Sequence, residues 1–338
     1  QTYRTGIATD GSVTTVTQTA PYVGGQDYDK YLPSLNMRVF LTDQLQLRLA
    51  GSKNFSRPSF TQLNPSFSLS PNYTNIGTTP SLVPDRVNNA QPYDAVNNPY
   101  IGTGTAQGNP DLLPEEVTQF DVALEWYFEP VGFVYGTLFY KKIKNLITTQ
   151  AEDFTREITG LGNVRFNFTS VVNVEEGFVR GFEVGGQKFF DFLPSPFDGL
   201  GVQANYTYVE SDAGQQAAGA IGSPDLIKVP IAGLSKNSYN LVALYDKYGL
   251  NMRLAYNWRD DYLQGTSNTG TQNLPIFGAP FGILDASITY DVTPQFALTV
   301  DAQNVLDTAF KTYQIVDSRP RDYVINDRRF SVRARVRF

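Results

Sequence analysis

The residues of this sequence that could do chemistry are mostly charged side chains at every second position of apolar stretches. Near the C-terminal end, Arg333 and Arg335 alternate with Val332, Ala334 and Val336. Because successive side chains of a β-strand point to opposite faces, this period of two predicts a strand with one apolar and one charged face. The charged residues at such positions are Arg38, Arg48, Asp121, Glu125, Arg253, Asp285, Asp301, Arg333, Arg335 and Arg337. Guanidinium and carboxylate groups arranged in this way favour ion pairs and hydrogen bonds on a wet or protein-filled side of a sheet.

Catalytic and metal-binding constellations are not predicted. The sequence contains no His and no Cys, which excludes zinc–thiolate and zinc–imidazole sites, histidine-based triads and disulfides. The adjacent carboxylates Glu115 and Glu116 would face opposite sides of a strand, so they do not form a catalytic pair. A net charge of −6 argues against nucleic acid as a partner. We therefore expect no catalytic residue, no metal, no cofactor and no enzymatic activity.

Alternating stretches recur along the chain and predict about eleven strands. They cover roughly residues 34–41, 45–52, 119–128, 131–142, 178–190, 200–208, 238–247, 250–259, 284–290, 295–303 and 330–338. Most have about ten residues, the length that a tilted strand needs to cross a bilayer. In 131–142, 178–190 and 238–247 apolar residues occupy both parities, so the facing of these three strands stays open.

The links between these strands alternate between short and long. Short turns are predicted at Thr42-Asp43, Glu129-Pro130, 191–198, 246–249 and 292–294, and long polar insertions at 55–116, 143–177, 211–237, 260–280 and 305–327. Outer-membrane barrels have short turns on the periplasmic rim and long loops on the extracellular rim. This order of links therefore predicts that every short turn lies on the same rim.

The composition suits a wall with one apolar and one wet face. Aromatic residues make up 13% of the chain, yet the mean hydropathy is slightly negative, and no apolar run is long enough for a transmembrane helix. Trp126, Phe128, Tyr206, Tyr208, Trp258 and Tyr290 have the apolar parity near strand ends. We interpret them as the aromatic belts found at membrane interfaces. A soluble β-sandwich is the alternative, but its strands are commonly five or six residues long.

Several motifs are similar to those of the TonB-dependent outer-membrane receptors and occur in that family's order. These motifs are Leu47–Phe60 (LRLAGSKNFSRPSF), Gly108–Glu115 (GNPDLLPE), Leu138–Lys142 (LFYKK), Val179–Glu183 (VRGFE), Asp301–Asp307 (DAQNVLD) and Arg328–Phe338. The resemblance covers the chain from about residue 31 to its end. Ser235–Asn240, Tyr245–Gly249 and Ala255–Arg259 are similar to a subgroup often linked to carbohydrate uptake.

The resemblance implies an all-β fold, an antiparallel transmembrane β-barrel of the bacterial outer membrane. Walls of this family have about 22 strands around a plug, so residues 1–338 would be the C-terminal part of the barrel, with about 11–12 strands. The plug domain and the N-terminal strands would then be absent from this sequence. The implied partners are outer-membrane lipid, the protein's own plug and N-terminal strands, the TonB complex and a small-molecule nutrient. Phe338 would be the C-terminal signal for barrel assembly.

The resemblance also implies a function, TonB-energised uptake of a scarce nutrient. We prefer an oligosaccharide as cargo because the Asn- and Tyr-rich loops suit a neutral sugar; an iron–siderophore complex is the alternative, since Arg suits an anion. The candidate ligand-binding residues are Tyr93, Tyr100, Asn109, Asn257, Arg259 and Asp261. Ordinary loop chemistry also explains these residue types.

Two further alternatives stay open. The charged residues of the polar parity, except Arg337, are expected to face the plug, but they could instead pair across neighbouring strands of a wet pore. The whole chain could also close as a passive pore or an adhesin of about twelve strands.

Overall fold

A computed structural model describes the greater part of the chain. The described residues are 2–7, 13–17, 24–65, 67–71, 73–76, 79–82, 102–106, 108–129, 131–158, 162–213, 216–218, 226–269 and 272–337. Among them, no helix has the length and apolar character needed to cross a membrane.

The described elements are almost all strands. The strands are β1 (Thr2–Ile7), β2 (Val13–Thr17), β3 (Ser34–Phe40), β4 (Leu45–Ser56), β5 (Phe67–Pro71), β6 (Tyr73–Ile76), β7 (Thr79–Leu82), β8 (Gly102–Ala106), β9 (Glu115–Phe128), β10 (Gly132–Ile158), β11 (Gly162–Phe189), β12 (Leu200–Asp212), β13 (Gln216–Ala218), β14 (Leu226–Lys228), β15 (Asn237–Lys247), β16 (Leu250–Arg259), β17 (Tyr262–Thr269), β18 (Gln272–Gly278), β19 (Phe281–Thr293), β20 (Phe296–Gln303), β21 (Phe310–Gln314), β22 (Pro320–Val324) and β23 (Arg329–Val336). A short helix α1 (Phe60–Leu63) follows β4, and a 3-10 turn (Phe197–Gly199) precedes β12.

Eleven antiparallel strands form one continuous wall. Its order is β3, β4, β9, β10, β11, β12, β15, β16, β19, β20 and β23, which is also the chain order. The prediction of about eleven antiparallel strands is confirmed. The strands β1, β2, β5 and β8 join the same sheet away from the wall, because β8 runs parallel to β11 at Phe166–Thr169.

The strand register gives the wall one continuous apolar face. Val122 lies opposite Leu49 on one side and Leu138 on the other, and Leu138 lies opposite Phe182. These side chains are not packed under a protein layer, since Leu138 is 62% exposed and Val122 is 41% exposed. A large exposed apolar surface of this kind suits a lipid environment. This register also decides which side chains of the strands at 131–142, 178–190 and 238–247 lie on the apolar face, a point that the sequence left open.

Aromatic residues flank the apolar face at both ends of the strands. Toward the side away from the short turns, Tyr239 stacks on Trp258 with centroids 5.2 Å apart, and Phe182, within β11, stacks on Tyr208 near the end of β12 at 5.7 Å. On the rim of short turns, Trp126 contacts Phe128 at 4.9 Å. A strand rises about 3.3 Å per residue, so about ten residues of a strand tilted by about 40° cross the apolar band of about 25 Å in outer-membrane barrels.

The predicted short links lie on one rim, and some of them are tight hairpins. In the clearest case Lys247 pairs with Leu250, and the two residues between them, Tyr248 and Gly249, have φ angles of 58° and 73°. Positive φ at both central residues is the conformation that matches the twist of a two-residue hairpin. The last strand ends on this rim too, since the Arg337 N–H donates to the Gln295 carbonyl at 2.8 Å.

The opposite rim differs from the predicted polar insertions. Most of the insertion predicted at 143–177 continues the ladder of β10 and β11. The insertions at 260–280 and 305–327 contain a four-stranded sheet, β17-β18-β21-β22, which we call the surface sheet. Its interior includes Leu274 and Thr312, which are 1% and 2% exposed. The prediction missed these strands because edge and surface strands carry mixed polar residues without a clean period of two.

A buried asparagine ties the surface sheet to the wall. Asn304 follows β20, is 7% exposed and has a φ of 51°. Its amide donates to the carbonyls of Thr308 at 3.2 Å and Asn326 at 2.6 Å, and accepts from the Thr308 N–H at 2.8 Å. The DAQNVLD motif is therefore a structural connection at this rim.

Candidate ligand site at the mouth of the polar face

The charged positions predicted from alternation share the face opposite the apolar one. Glu125 accepts hydrogen bonds from Arg48 at 2.8 Å and from the Tyr127 hydroxyl at 2.7 Å, and it also contacts Gln46. These partners come from β4 and β9, so the contacts cross neighbouring strands. We call this side of the wall the polar face.

A second group of this kind lies near the end of the wall. Asp301 accepts from Arg333 at 2.9 Å and from the Ser287 hydroxyl at 2.7 Å, and Arg335 lies 3.8 Å from Asp291. The three strands β19, β20 and β23 are thus joined by polar side chains as well as by backbone hydrogen bonds.

The remaining charged positions follow the same register. Arg253 lies opposite Ser287, and Asp285 lies opposite Ala255. Arg38 lies over the ring of Phe40, 4.9 Å from its centroid. Asp121 alternates with apolar residues of β9 and shares the polar parity with Glu125. The charged residues that alternation places on one side of each strand therefore lie on the polar face of the wall.

A cleft of about 490 Å³ opens on the polar face beside the start of β15 and the end of β16. Its lining combines amide, hydroxyl and charged groups with apolar side chains, and it includes Ser238, Asn240, Asn257, Arg259, Phe281 and Ile283. Three adjacent strands supply a row of amides, because Asn205 lies opposite Asn240 and Asn240 lies opposite Asn257. The Asn240 amide donates to Asn205 at 2.8 Å.

Arg259, at the end of β16, is held at one end of this cleft. Its Nε donates to the Ser235 hydroxyl at 2.8 Å, and its Nη2 donates to the Gly233 carbonyl at 2.6 Å. Its guanidinium also lies over the ring of Tyr262, 3.9 Å from the centroid. A guanidinium fixed by a hydroxyl, a carbonyl and a ring keeps its positive charge and has a defined orientation.

Asp261, predicted with Asn257 and Arg259, lies in an adjoining cleft of about 210 Å³ with Tyr262 and Phe277. Its carboxylate accepts from the Tyr313 hydroxyl of the surface sheet at 2.7 Å. Burial, and then the hydrogen bond to this carboxylate, raise the pKa of Tyr313 well above its ordinary value. Asp261 thus fastens the surface sheet to the end of β16.

Asn109 lies apart from this cleft, in the segment between α1 and β9. Its amide donates to the Val171 carbonyl at 3.2 Å and accepts from the Asp111 N–H at 2.9 Å. Gly108 beside it is required by close packing, because a Cβ there would lie 2.5 Å from the Gln62 carbonyl oxygen. The other predicted positions, Tyr93, Tyr100 and Phe338, fall outside the described residues.

Sequence reasoning found two residues of the main cleft and missed those that position them. Ser235, Tyr262 and Tyr313 lie in segments without alternation, so periodicity gives them no signal. Ser235 does begin the SKNSYN segment, which was singled out only as a subgroup motif. Within the described ranges, no group of acidic side chains is arranged to hold a metal ion.

Comparison with known proteins adds the family. The family model described as "TonB dependent receptor-like, beta-barrel" matches residues 3–305. A search of curated proteins gave no match.

Several solved structures share the fold. The siderophore receptor PirA from Acinetobacter baumannii is 14% identical, with a TM-score of 0.55 over 91% of this chain and 41% of that one. A mutant (G324V) of the ferric enterobactin receptor PfeA from Pseudomonas aeruginosa is 17% identical, with a TM-score of 0.57 over 91% and 40%. The ferric citrate transporter FecA is 15% identical, with a TM-score of 0.54 over 91% and 38%. This chain therefore spans about two fifths of the length of these structures.

Proposed function

This chain belongs to the TonB-dependent receptor β-barrel family, and we propose that it builds the wall of a receptor that takes up a ferric chelate of the siderophore class with energy from TonB. The family is one of receptors and transporters, and its proteins lie in the bacterial outer membrane. The observation that carries the proposal is the eleven-strand wall, whose apolar face is exposed while its other face carries paired charges. A charged side chain would cost about 2–4 kcal/mol at the centre of the lipid face, so the charged face must line an interior.

Strand direction supports completion of the wall by further strands. β3 and β23 both run toward the rim of short turns. If β3 paired with β23 of the same chain, or with β23 of a second copy in the same orientation, the two strands would be parallel. Bacterial barrels are antiparallel with an even number of strands. We therefore infer that an odd number of additional strands closes this wall. Within the described part of the chain, β1 pairs with β2 and with β5, and neither β1 nor β2 pairs with β3 or β23.

The interior is proposed to hold a plug that contacts Arg38, Arg48, Asp121, Glu125, Arg253, Asp285, Asp301, Arg333 and Arg335. The pairs Arg48–Glu125 and Arg333–Asp301 already cross neighbouring strands. For these pairs, cross-strand bonding alone accounts for the charges. Four members of this set have no ion pair within the described residues, so they are the positions at which a plug contact is most expected: Arg38, Asp121, Arg253 and Asp285.

The cargo proposed here differs from the oligosaccharide preferred on sequence grounds. The structural neighbours reported above are a siderophore receptor, a ferric enterobactin receptor and a ferric citrate transporter, and they lend no support to a sugar. Their identities of 14–17% speak for the fold alone, so the choice of cargo rests on the side chains at the mouth of the polar face. Arg259 with its amide neighbours suits an anionic chelate better than a neutral sugar.

Growth and uptake of a deletion strain test the proposal. We expect a growth defect under iron starvation, loss of uptake of at least one radiolabelled ferric chelate, and rescue of both by the full-length gene but not in a TonB-deficient background. If the deletion strain grows normally under iron starvation and fails to grow only on an oligosaccharide, the cargo is the sugar instead. A large ohmic conductance of the full-length protein in planar bilayers would instead support a passive pore.

A further inference from the structure

The cleft at the mouth of the polar face contains a cation whose partners are all uncharged. The Arg259 guanidinium donates to a hydroxyl and a carbonyl and lies over the Tyr262 ring. Its Nη1 donates no hydrogen bond within the described residues. Nη1 carries two N–H groups, which are therefore available to acceptor oxygens of a ligand.

The carboxylates next in sequence are turned to other partners. Asp260 accepts from the Asn237 amide at 2.9 Å and from the Asp261 N–H at 3.0 Å, and Asp261 accepts from Tyr313. Among the ion pairs of the described ranges, none includes Arg259. The charge of Arg259 is therefore not neutralised by these neighbours.

Uncharged hydrogen-bonding groups continue the cleft from Arg259 along the strands. Asn257 is exposed two residues away on the same face of β16, and Ser238 lies opposite Arg259 on β15. The one carboxylate in the lining is Asp285, which accepts from the Asn304 N–H at 2.9 Å. Arg259 pairs with Phe281, so Asp285 is four residues, about 13 Å, farther along β19. The cleft is thus cationic at one end and acidic at the other.

We propose that Arg259 and Asn257 form a binding site for the anionic oxygens of a ferric chelate, with the carboxylate or catecholate end of the ligand at Arg259. This inference rests on the proposed function and assigns the ligand class of one site within it. Arg259 provides a fixed charge, Asn257 provides a neutral donor, and Phe281 provides an aromatic wall. A charge-assisted bond from a pre-oriented guanidinium favours an anionic oxygen over a sugar hydroxyl.

Equilibrium binding to the purified full-length receptor tests the site. The probes are ferric citrate and ferric enterobactin as anionic chelates, a neutral ferric trihydroxamate, and maltotriose. Arg259→Gln is expected to weaken binding of the anionic chelate that the wild type binds by about tenfold or more, the usual effect of losing a hydrogen bond to a charged group. Binding of the neutral chelate should change less than about threefold, and the salt dependence for the anion should become shallower.

Two further variants separate ligand binding from damage to the fold. Asn257→Asp leaves the contacts of Arg259 with Ser235 and Gly233 in place, and it should weaken the anionic chelate by a similar factor through repulsion. Arg319→Gln removes the same charge from an exposed surface position and should bind like the wild type.

The outcomes distinguish this inference from the proposed function. If the wild type binds a ferric anion and both Arg259→Gln and Asn257→Asp bind it with unchanged affinity, this site is wrong and the proposed cargo stands. If the wild type binds no ferric chelate but binds maltotriose, the proposed cargo is wrong and this inference fails with it.

Discussion

The two rims of the wall are built in different ways. On the rim of short turns, strands are joined by local hairpins such as Lys247–Leu250, whose geometry depends on two residues with positive φ. On the opposite rim, long-range polar contacts hold a separate sheet, as in the Tyr313–Asp261 and Asn304–Asn326 hydrogen bonds. Local turns leave little freedom, whereas a layer held by side chains can change its shape and chemistry without altering the strands beneath it. The cleft with Arg259 lies on this second rim.

The largest expected effect comes from the wall that both rims share. Ile288 on the apolar face and Thr289 on the polar face are adjacent residues of β19. Ile288→Lys should lower the free energy of unfolding by about 2–4 kcal/mol, because the ammonium group would face lipid. Thr289→Lys, the matched control, should change it by less than about 1 kcal/mol. Urea unfolding in lipid vesicles measures both, and equal losses would contradict the assignment of the faces.

The next effect concerns the connection to the surface sheet. Asn304→Ala should cost about 2–3 kcal/mol, because it leaves buried main-chain groups without partners and places alanine at a positive φ. We expect faster hydrogen exchange across β21 and β22 with little change in β15 and β16. Asn251→Ala, at an exposed position of β16, is the control. Uniform loosening of wall and surface sheet would show that the two are one cooperative unit.

A smaller effect is expected at the hairpin rim. Gly249→Ala should cost about 1–2 kcal/mol, because φ at this position is 73° and a Cβ is disfavoured there. Gly265→Ala is the matched control, since a Cβ at Gly265 meets nothing within 4 Å. Refolding yield into vesicles would report the difference. If Gly249→Ala left the refolding yield unchanged, the turn would not depend on its two-residue geometry.

The smallest effect is a pH dependence confined to the surface sheet. Burial and the Asp261 carboxylate raise the pKa of Tyr313, so the folded state keeps this proton where the unfolded loop loses it. The stabilisation is therefore complete below the ordinary tyrosine pKa of about 10 and is lost as the pH rises above it.

Tyr313→Phe should cost about 1 kcal/mol at neutral pH and remove the alkaline loss. Limited proteolysis of the loops against pH measures the effect, with the exposed Tyr323→Phe as control. If Tyr313→Phe lost as much stability at alkaline pH as the wild type, the loss would come from another titrating group.

The sequence predicted the wall far better than the mouth. Residues such as Val122 and Val300 report their face through a period of two, which depends only on the strand and its two environments. Ser235 contacts Arg259 from a segment 24 residues away, and Tyr262 contacts it across the end of β16, and no periodicity records such contacts. Arg259 and Asn257 were found because they lie at the end of a strand whose parity was clear.

The most direct test of the account is the lipid exposure of alternate residues in β16. These 338 residues contain no cysteine, so single cysteines at residues 251–254 can carry a spin label in a full-length receptor that has been cleared of any other cysteine, in lipid bilayers. Labels replacing Met252 and Leu254 should collide readily with oxygen dissolved in the bilayer, and labels replacing Asn251 and Arg253 should not. Equal oxygen accessibility at all four positions, or the reverse order, would contradict a wall with lipid on one face and an interior on the other.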